Sequence, residues 1–528
     1  MRKFYCLILS ISICILTQAQ FKTIAESPLF DEPIDGLSKI LQLKNGNTIY
    51  VMITINNGFY IRLYDAKHKQ ITESHITSKE TRVNSGNVES IFEINNDLVI
   101  LFSTMENKIR GVYRITIDGI TGSVKENKKI TDTQTGEERK VEKGAIEGVY
   151  NGNYVNKDPN SNNYAVAMFN NPLADRDKRL EVIAYDSTGK ETSRALYKSP
   201  GEKYEYLKYI DMAVIGNSKV CVLAYGYTYK KSSSIQTGDL ILATLDAGSK
   251  EVSVQELEYS KDMIITGGIM RFNPVFQKLV LLAASRSTKK DEYYGVSVAY
   301  VDPFVKKLDR GFDIYPVHAN EKCLELFGKK KPFTGMPQNL FINNDGSFTV
   351  VYEEMTNYYN TRSSNCELGN IAVSLFDKDG RENNSYLIPK NHMMLSTSLN
   401  PFYQAKRDLS GSSLTFGDQY KSFTYLNGKK KNYVLMNDIE RNGETVLDGK
   451  ITTISGVGEC NGFYFVIDGK ETMPQRKFLF GAPASKKENN LALFTISDYD
   501  REKNIYVTLK LEKEGKSKGV KFVWLQPQ

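Results

Sequence analysis

The sequence predicts an all-β chain built from a recurring four-stranded antiparallel unit. Three observations predict it. The 528 residues include 32 Tyr and 25 Phe against a single Trp and 15 Pro, and aromatic and β-branched residues fit pleated, half-buried surfaces. Six nearly continuous apolar runs of strand length recur along the chain, which implies burial on both faces. An alternating strand that closes on an Asp-centred turn recurs eight times.

The eight anchors are Asp65, Asp118, Asp186, Asp246, Asp302, Asp377, Asp438 and Asp498. The stretch LEVIAYDSTGKE, Leu180 to Glu191, shows the pattern: period-two alternation, then Asp with Gly in the turn. Asp, Asn, Gly and Pro accept the tight or left-handed geometry that such turns need. A polar strand often follows, as in Thr192 to Leu196 and Asn384 to Ile388. Upstream of the anchors lie TIYVMI (Thr48 to Ile53), LVILFS (Leu98 to Ser103), YAVAMF (Tyr164 to Phe169), VCVLAYG (Val220 to Gly226), LVLLAAS (Leu279 to Ser285) and FTVVYEE (Phe348 to Glu354). One unit therefore reads as outer strand, turn, buried strand, loop, alternating strand, Asp turn, polar strand. The anchors are spaced 53 to 75 residues apart.

A lone meander cannot cover both faces of its apolar strand. Stacking units face to face covers them, and closing the stack in a ring removes its ends. On this repeat pattern and spacing the chain resembles β-propellers over nearly all of its length beyond the leader. It lacks the Trp-Asp blade ending and the kelch double glycine, and its units exceed the 40–50 residues of those families. The resemblance implies a β-propeller of seven or eight four-stranded antiparallel blades across residues 20–528, with long loops near 130–160 and 385–415. The last two units are the least regular. The C-terminal KGVKFVWLQPQ is expected to pair with an early strand and close the ring. Paired β-sandwiches would not repeat near 62 residues throughout, and the doubly apolar runs oppose a lipid-facing barrel.

Residues 1–19 have the build of a cleavable secretory signal: Arg2 and Lys3, an apolar run from Phe4 to Leu16, and Thr17 and Ala19 before the cut. The leader resembles those of Gram-negative secreted proteins that end in Gln-Ala-Gln, which implies a periplasmic or extracellular protein. No later segment offers about eighteen uninterrupted apolar residues, so no transmembrane helix is expected. Losing Arg2 and Lys3 lowers the formal charge from +7 to +5. The runs Lys329-Lys330-Lys331 and Lys429-Lys430-Lys431 read as solvated turns, and nucleic acid is not an expected partner. Cys6 and Cys14 leave with the leader. Of the four that remain, Cys221 sits in an apolar run and reads as a buried thiol. In an oxidising compartment the even count permits three disulfide pairings, and Cys323 and Cys366, which share one unit, are the possible disulfide to test first.

Signatures of chemistry are sparse. The four His, His68, His75, His318 and His392, form no His-Glu-x-x-His, and there is no Gly-x-Ser-x-Gly elbow, phosphate loop or dinucleotide fingerprint. A calcium loop starting at Asp377 would need Glu at its twelfth position and has Pro389. No cofactor, metal site or catalytic residue is therefore assigned. Glu353 and Glu354 follow a buried strand where end loops begin and are the acids to examine first. The stretch from Lys203 to Tyr209 interleaves Tyr and Lys and reads as a strand with one exposed face. The expectation is an exported binding module for a protein or envelope component, working through loops on a rigid ring. The alternative is a carbohydrate-binding or carbohydrate-active propeller that uses its central channel.

Overall fold

A computed structural model describes residues 21–54, 57–77, 86–107, 109–138, 152–229, 236–258, 263–287, 294–359, 364–395, 397–467, 471–483, 489–514 and 517–528. The proposed leader, residues 1–19, and part of the expected loop near 130–160 lie outside the described residues.

The strands form eight antiparallel sheets, so the blade number is eight. Blade one comprises Leu37–Gln42, Thr48–Thr54, Gly58–Tyr64 and Gln70–Ile76, and blades two to seven repeat that order along the chain. Blade eight takes three strands from the C-terminus (Ala492–Asp500, Ile505–Glu514, Ser517–Gln526) and its fourth, Lys22–Glu26, from the N-terminus. Three α-helices interrupt the pattern among the described residues: α1 (Val317–Phe327), α2 (Tyr403–Ser410) and α3 (Glu440–Thr445).

All six apolar runs are the second strands of their blades. Tyr164–Phe169 is buried at every position, and Leu98 to Thr104 is buried throughout. The order within a blade corrects one expectation: the first strand of each unit is the innermost, not the outer. First strands of neighbouring blades pack on one another around the axis. The polar fourth strands, such as Lys307–Asp313, face solvent.

Eight clusters of buried side chains form, one in each gap between neighbouring blades. The two faces of each sheet thus bury into two different cores, which is why the second strands carry apolar residues at consecutive positions.

The Asp turns have a local cause. Asp186 Oδ1 accepts from the N–H groups of Thr188 and Lys190 at 2.8 and 3.0 Å. Asp65, Asp118, Asp302 and Asp377 likewise each accept from two backbone N–H groups of the following turn. One carboxylate thereby satisfies two donors that the tight turn leaves unpaired. Three anchors depart from the pattern, and of these Asp246 directs its carboxylate to Lys219 Nζ. Asp438 ends the second strand of blade seven, and Asp498 lies in the first strand of blade eight.

The C-terminal segment closes the ring as expected: Lys22 to Glu26 pair with Gln526 to Val523. Phe21 is buried at this seam, 5.0 Å from the Tyr433 ring centre and 4.9 Å from that of Tyr464. Phe21→Ala should lower stability by about 3 kcal/mol in urea unfolding, the cost of an aromatic-sized cavity. A change below about 0.5 kcal/mol would show that Phe21 contributes little to closure.

Candidate functional site: a helix across the central channel

The innermost strands surround a channel, and α2 lies in it. The helix belongs to the crossover from blade six to blade seven, within the segment expected to be a long loop near 385–415. It begins at Phe402, held at φ 65°, and ends at Gly411, φ 101°. That last angle is one that glycine adopts without strain. The helix packs against the first strands of blades two and six. These stand opposite each other in a ring of eight, so α2 crosses the channel.

Several tethers hold it. Lys39 Nζ, from blade one, donates to the carbonyls of Asp408 and Leu409 at 2.5 and 3.0 Å and to Ile91 O of blade two at 2.7 Å. Its ammonium caps the last turn of α2, where carbonyls lack helical partners. Burial brings the Lys39 pKa down to about 8. Asn339 Nδ2 of blade six donates to Asp408 Oδ2 at 2.8 Å, and Phe402 N donates to Pro337 O at 2.9 Å.

Glu353 and Glu354, the acids singled out from sequence, belong to the foot of this crossover. Glu353 is fully buried and accepts from Lys390 Nζ, also fully buried, and from Tyr403 Oη at 2.7 Å. Desolvation pulls the Lys390 pKa down although Glu353 opposes it. Glu354 occupies a bulge and accepts from Thr334 N (3.0 Å), Asn370 N (3.1 Å) and Asn370 Nδ2 (2.8 Å). Both acids therefore hold loops, and neither faces an open site.

Among the described residues three cavities flank the helix, and the smallest of them, of 300 Å³, is lined by Tyr403, Lys406, Arg407 and Ser410. A second, of 320 Å³, touches blades one, two, three, seven and eight and includes Lys39, Asp408 and Asp498. Asp498 Oδ2 accepts from Gln42 N at 2.6 Å across the blade eight to blade one gap, and burial raises its pKa to about 6. The third, of 620 Å³, lies between α2 and the first strands of blades two to five. Its wall carries the stacked rings of Tyr154 and Tyr209, 3.7 Å apart between centres, and the α2 side chains Phe402 and Lys406. Glu89, Lys208, Asp211 and Arg271 supply further polar groups. Asp211 accepts from Met270 N at 2.6 Å and Arg271 Nη1 at 3.0 Å. Lys208 Nζ donates to Thr266 O at 2.9 Å. Glu89 accepts from Ser103 Oγ, and burial lifts its carboxyl pKa to about 7.

Bulges shape this cavity. The first strands of blades two, four, five and six each shift register by one residue, at Glu89, Ile210, Thr266 and Gln338. A bulge bends its strand and re-aims the flanking side chains. At blade five it is followed by Gly267, where a Cβ would stand 3.2 Å from the Phe402 ring, so a side chain there would crowd the start of α2.

Other residues flagged in the sequence scatter. Within the Lys203 to Tyr209 stretch, Tyr204 Oη donates to Asp239 and Glu256 at 2.9 and 2.7 Å, whereas Lys208 and Tyr209 reach the cavity. His68 stacks on Trp524, His75 on Tyr60, His318 meets Glu382, and His392 is buried beside the Lys421 carbonyl. The candidate Cys323–Cys366 disulfide is absent: both are free, buried thiols. Cys323, on α1, packs in the core between blades five and six, and Cys366 packs in a separate cluster with Leu368 and Met394. Burial raises the two thiols to about 12 and about 11. Sequence reasoning missed α2, the bulges, Glu89 and Lys406. Pro401 and Gly411 flank the helix and were the one local signal for it.

No family model matches the chain, and no curated protein matches it. Solved structures similar to it include a polysaccharide lyase, Uly1, at 11% identity over 84% of this chain and 90% of that one, TM-score 0.40. The WD40 domain of SCAP from fission yeast aligns at 10% identity over 96% and 94%, TM-score 0.37. A GH43 β-1,3-galactosidase aligns at 12% identity over 60% of this chain, TM-score 0.23, and the match spans 55% of that protein's length. At these scores the likeness transfers no activity. The eight blades rest on strand pairing alone.

Lys390→Met strands the Glu353 carboxylate and should cost about 3–5 kcal/mol in chemical denaturation. Adding Glu353→Gln should recover most of that loss, and no recovery would mean the pair is not coupled. Glu89 binds its proton more tightly folded than unfolded, so its ionisation opposes folding. The penalty grows from about pH 4 to about pH 7 and is complete above. Glu89→Gln should leave stability at pH 4 unchanged and raise it by about 2 kcal/mol at pH 8. Equal effects at both pH values would refute the burial account.

Proposed function

We propose that this propeller is an exported binding module that takes a component of the cell envelope into the 620 Å³ cavity beside α2. One observation carries the reading: the channel is occupied by a tethered helix, and the carboxylates around it are engaged by protein donors. Asp211, Asp408, Asp498 and Glu353 each accept hydrogen bonds from named groups of the chain. A hydrolytic pair needs two acids that face one reacting bond, one to protonate and one to attack or activate water. Acids held in this way serve better to position the walls of a cavity than to turn over a substrate. A volume of 620 Å³ falls within the range of pockets that enclose small ligands.

The leader supports the export part of the proposal, since its charged start, apolar run and small residues fit removal after Ala19. A second reading, a carbohydrate ligand, is favoured by the Tyr154–Tyr209 pair and Phe402 in the cavity wall, because aromatic walls suit the apolar faces of sugar rings.

The test is affinity capture from the native envelope with wild-type protein and with Ser410→Trp. Ser410 lines this cavity and the neighbouring one of 300 Å³ and is not buried in a core, so the larger side chain narrows the space beside α2 and leaves the blades intact. Wild-type protein should have an intact mass that begins at Gln20 and retain an envelope component that Ser410→Trp loses at unchanged melting temperature. Equal retention by both proteins would sink the cavity reading, and an uncleaved cytoplasmic chain would sink export.

A further inference from the structure

The contact between Lys390 and Glu353 carries more chemistry than an ion pair needs. Glu353 lies on the second strand of blade six, just before its bulge and opposite Ile371. Lys390 follows the fourth strand of the same blade, Glu382–Ile388, at the start of the crossover that leads to α2. Both side chains are fully buried. Lys390 Nζ donates to Glu353 Oε1, its one hydrogen-bond partner among the described residues. Tyr403 Oη, in the first turn of α2, donates to the other oxygen, Oε2, at 2.7 Å.

An ammonium group has three N–H donors, and only one of those of Lys390 has an acceptor among the described residues. Burying a charge is costly when its hydrogen bonds are incomplete. Desolvation lowers the Lys390 pKa and so favours the neutral amine, which is the nucleophilic form. An amide between the two side chains would remove both charges and leave a single N–H. The site already holds the three groups that this needs. They are an amine, a carboxyl group in contact with it, and a hydroxyl on the oxygen where negative charge would develop.

We propose that Lys390 and Glu353 condense after folding into an intramolecular isopeptide bond. One proton passes from Nζ to Oε1 along their hydrogen bond, and the freed Nζ lone pair attacks Glu353 Cδ. The C–N bond forms and the bond from Cδ to Oε1 breaks. Of the three ammonium protons, one stays on the amide nitrogen and two leave with Oε1 as water, so no further reactant is consumed. Tyr403 Oη holds Oε2, the oxygen that becomes negative in the tetrahedral intermediate and remains as the amide carbonyl. Tyr403 also lines the 300 Å³ cavity, which gives the water a way out. The bond fixes the start of the crossover to blade six, and it stands independently of what the large cavity binds.

The experiment is intact-mass measurement and peptide mapping of the full chain, purified from its native host and denatured. Wild-type protein should weigh one water less than its sequence. Its digest should contain a branched peptide that joins the segments holding Glu353 and Lys390. Fragmentation of that peptide places the lost water, which separates the bond from a dehydrated Asp turn or a cyclised N-terminal Gln. Lys390→Met should weigh its full sequence mass and give only linear peptides. Tyr403→Phe keeps the ring and removes the hydroxyl, and the branched fraction should fall by about fivefold or more at unchanged circular dichroism. Wild-type protein whose Glu353 and Lys390 peptides are both linear would overturn the proposal, whatever the variants do. An unchanged branched fraction in Tyr403→Phe would overturn the role of the hydroxyl. Lys390→Met and its double variant with Glu353→Gln both lack the bond, so their difference still reads the Glu353 charge alone.

Discussion

The pairing of Lys22–Glu26 with Val523–Gln526 is the constraint on which the rest depends. Each sheet is apolar on both faces, so each needs a neighbour on both sides, and a row of eight leaves two bare faces unless it closes. Closure joins strands from the two ends of the described chain. Around the strand pairing, Trp524 Nε1 donates to Thr48 Oγ1 at 3.0 Å, from blade eight to blade one. Ser27 and Phe522 exchange two hydrogen bonds, and Lys521 meets Glu26 at 2.6 Å. With the seam made, all eight gaps between blades hold a core of buried side chains.

Closure also creates the channel, and the channel sets the rules for polar residues within it. The innermost strands have few neighbours toward the axis, and side chains of one blade complete the backbone of the next. Lys39 reaches Ile91 O, Asn156 reaches Met212 O, Lys208 reaches Thr266 O, and Asp211 takes Met270 N. Such side-chain bonds satisfy backbone groups that the strand bends leave unpaired. They fix the spacing of the inner strands, and α2 rests on that fixed frame. A helix of eight residues is too short to persist alone. It forms here because Lys39 caps its end, Asn339 grips Asp408, and Phe402 fits over Gly267.

The repeat was legible because its causes are local. An Asp that accepts from N–H groups two to four residues ahead writes itself into the sequence, as Asp186 and Asp377 do. The second strands were legible because burial on two faces demands consecutive apolar residues. The anchors at Asp438 and Asp498 resembled the others in sequence, yet their carboxylates meet Arg476 and Gln42, which are distant in the chain. The first strand of each blade was placed outside, because a polar first strand facing a channel and a polar fourth strand facing solvent look alike. Cys323 and Cys366 shared a repeat but pack in separate cores, and chain proximity cannot distinguish those arrangements.

The sequence by itself determined the class of structure, the unit and its approximate number, and the strand that closes the ring. Hydrophobic alternation and turn hydrogen bonding act over a few residues, so they are recorded there. Only the tertiary structure decided that eight blades surround a helix, that Glu353 is engaged by Lys390, and that Lys406 meets no protein anion among the described residues. Whether a charge is paired depends on groups brought together from several blades, and no short stretch of chain carries that information.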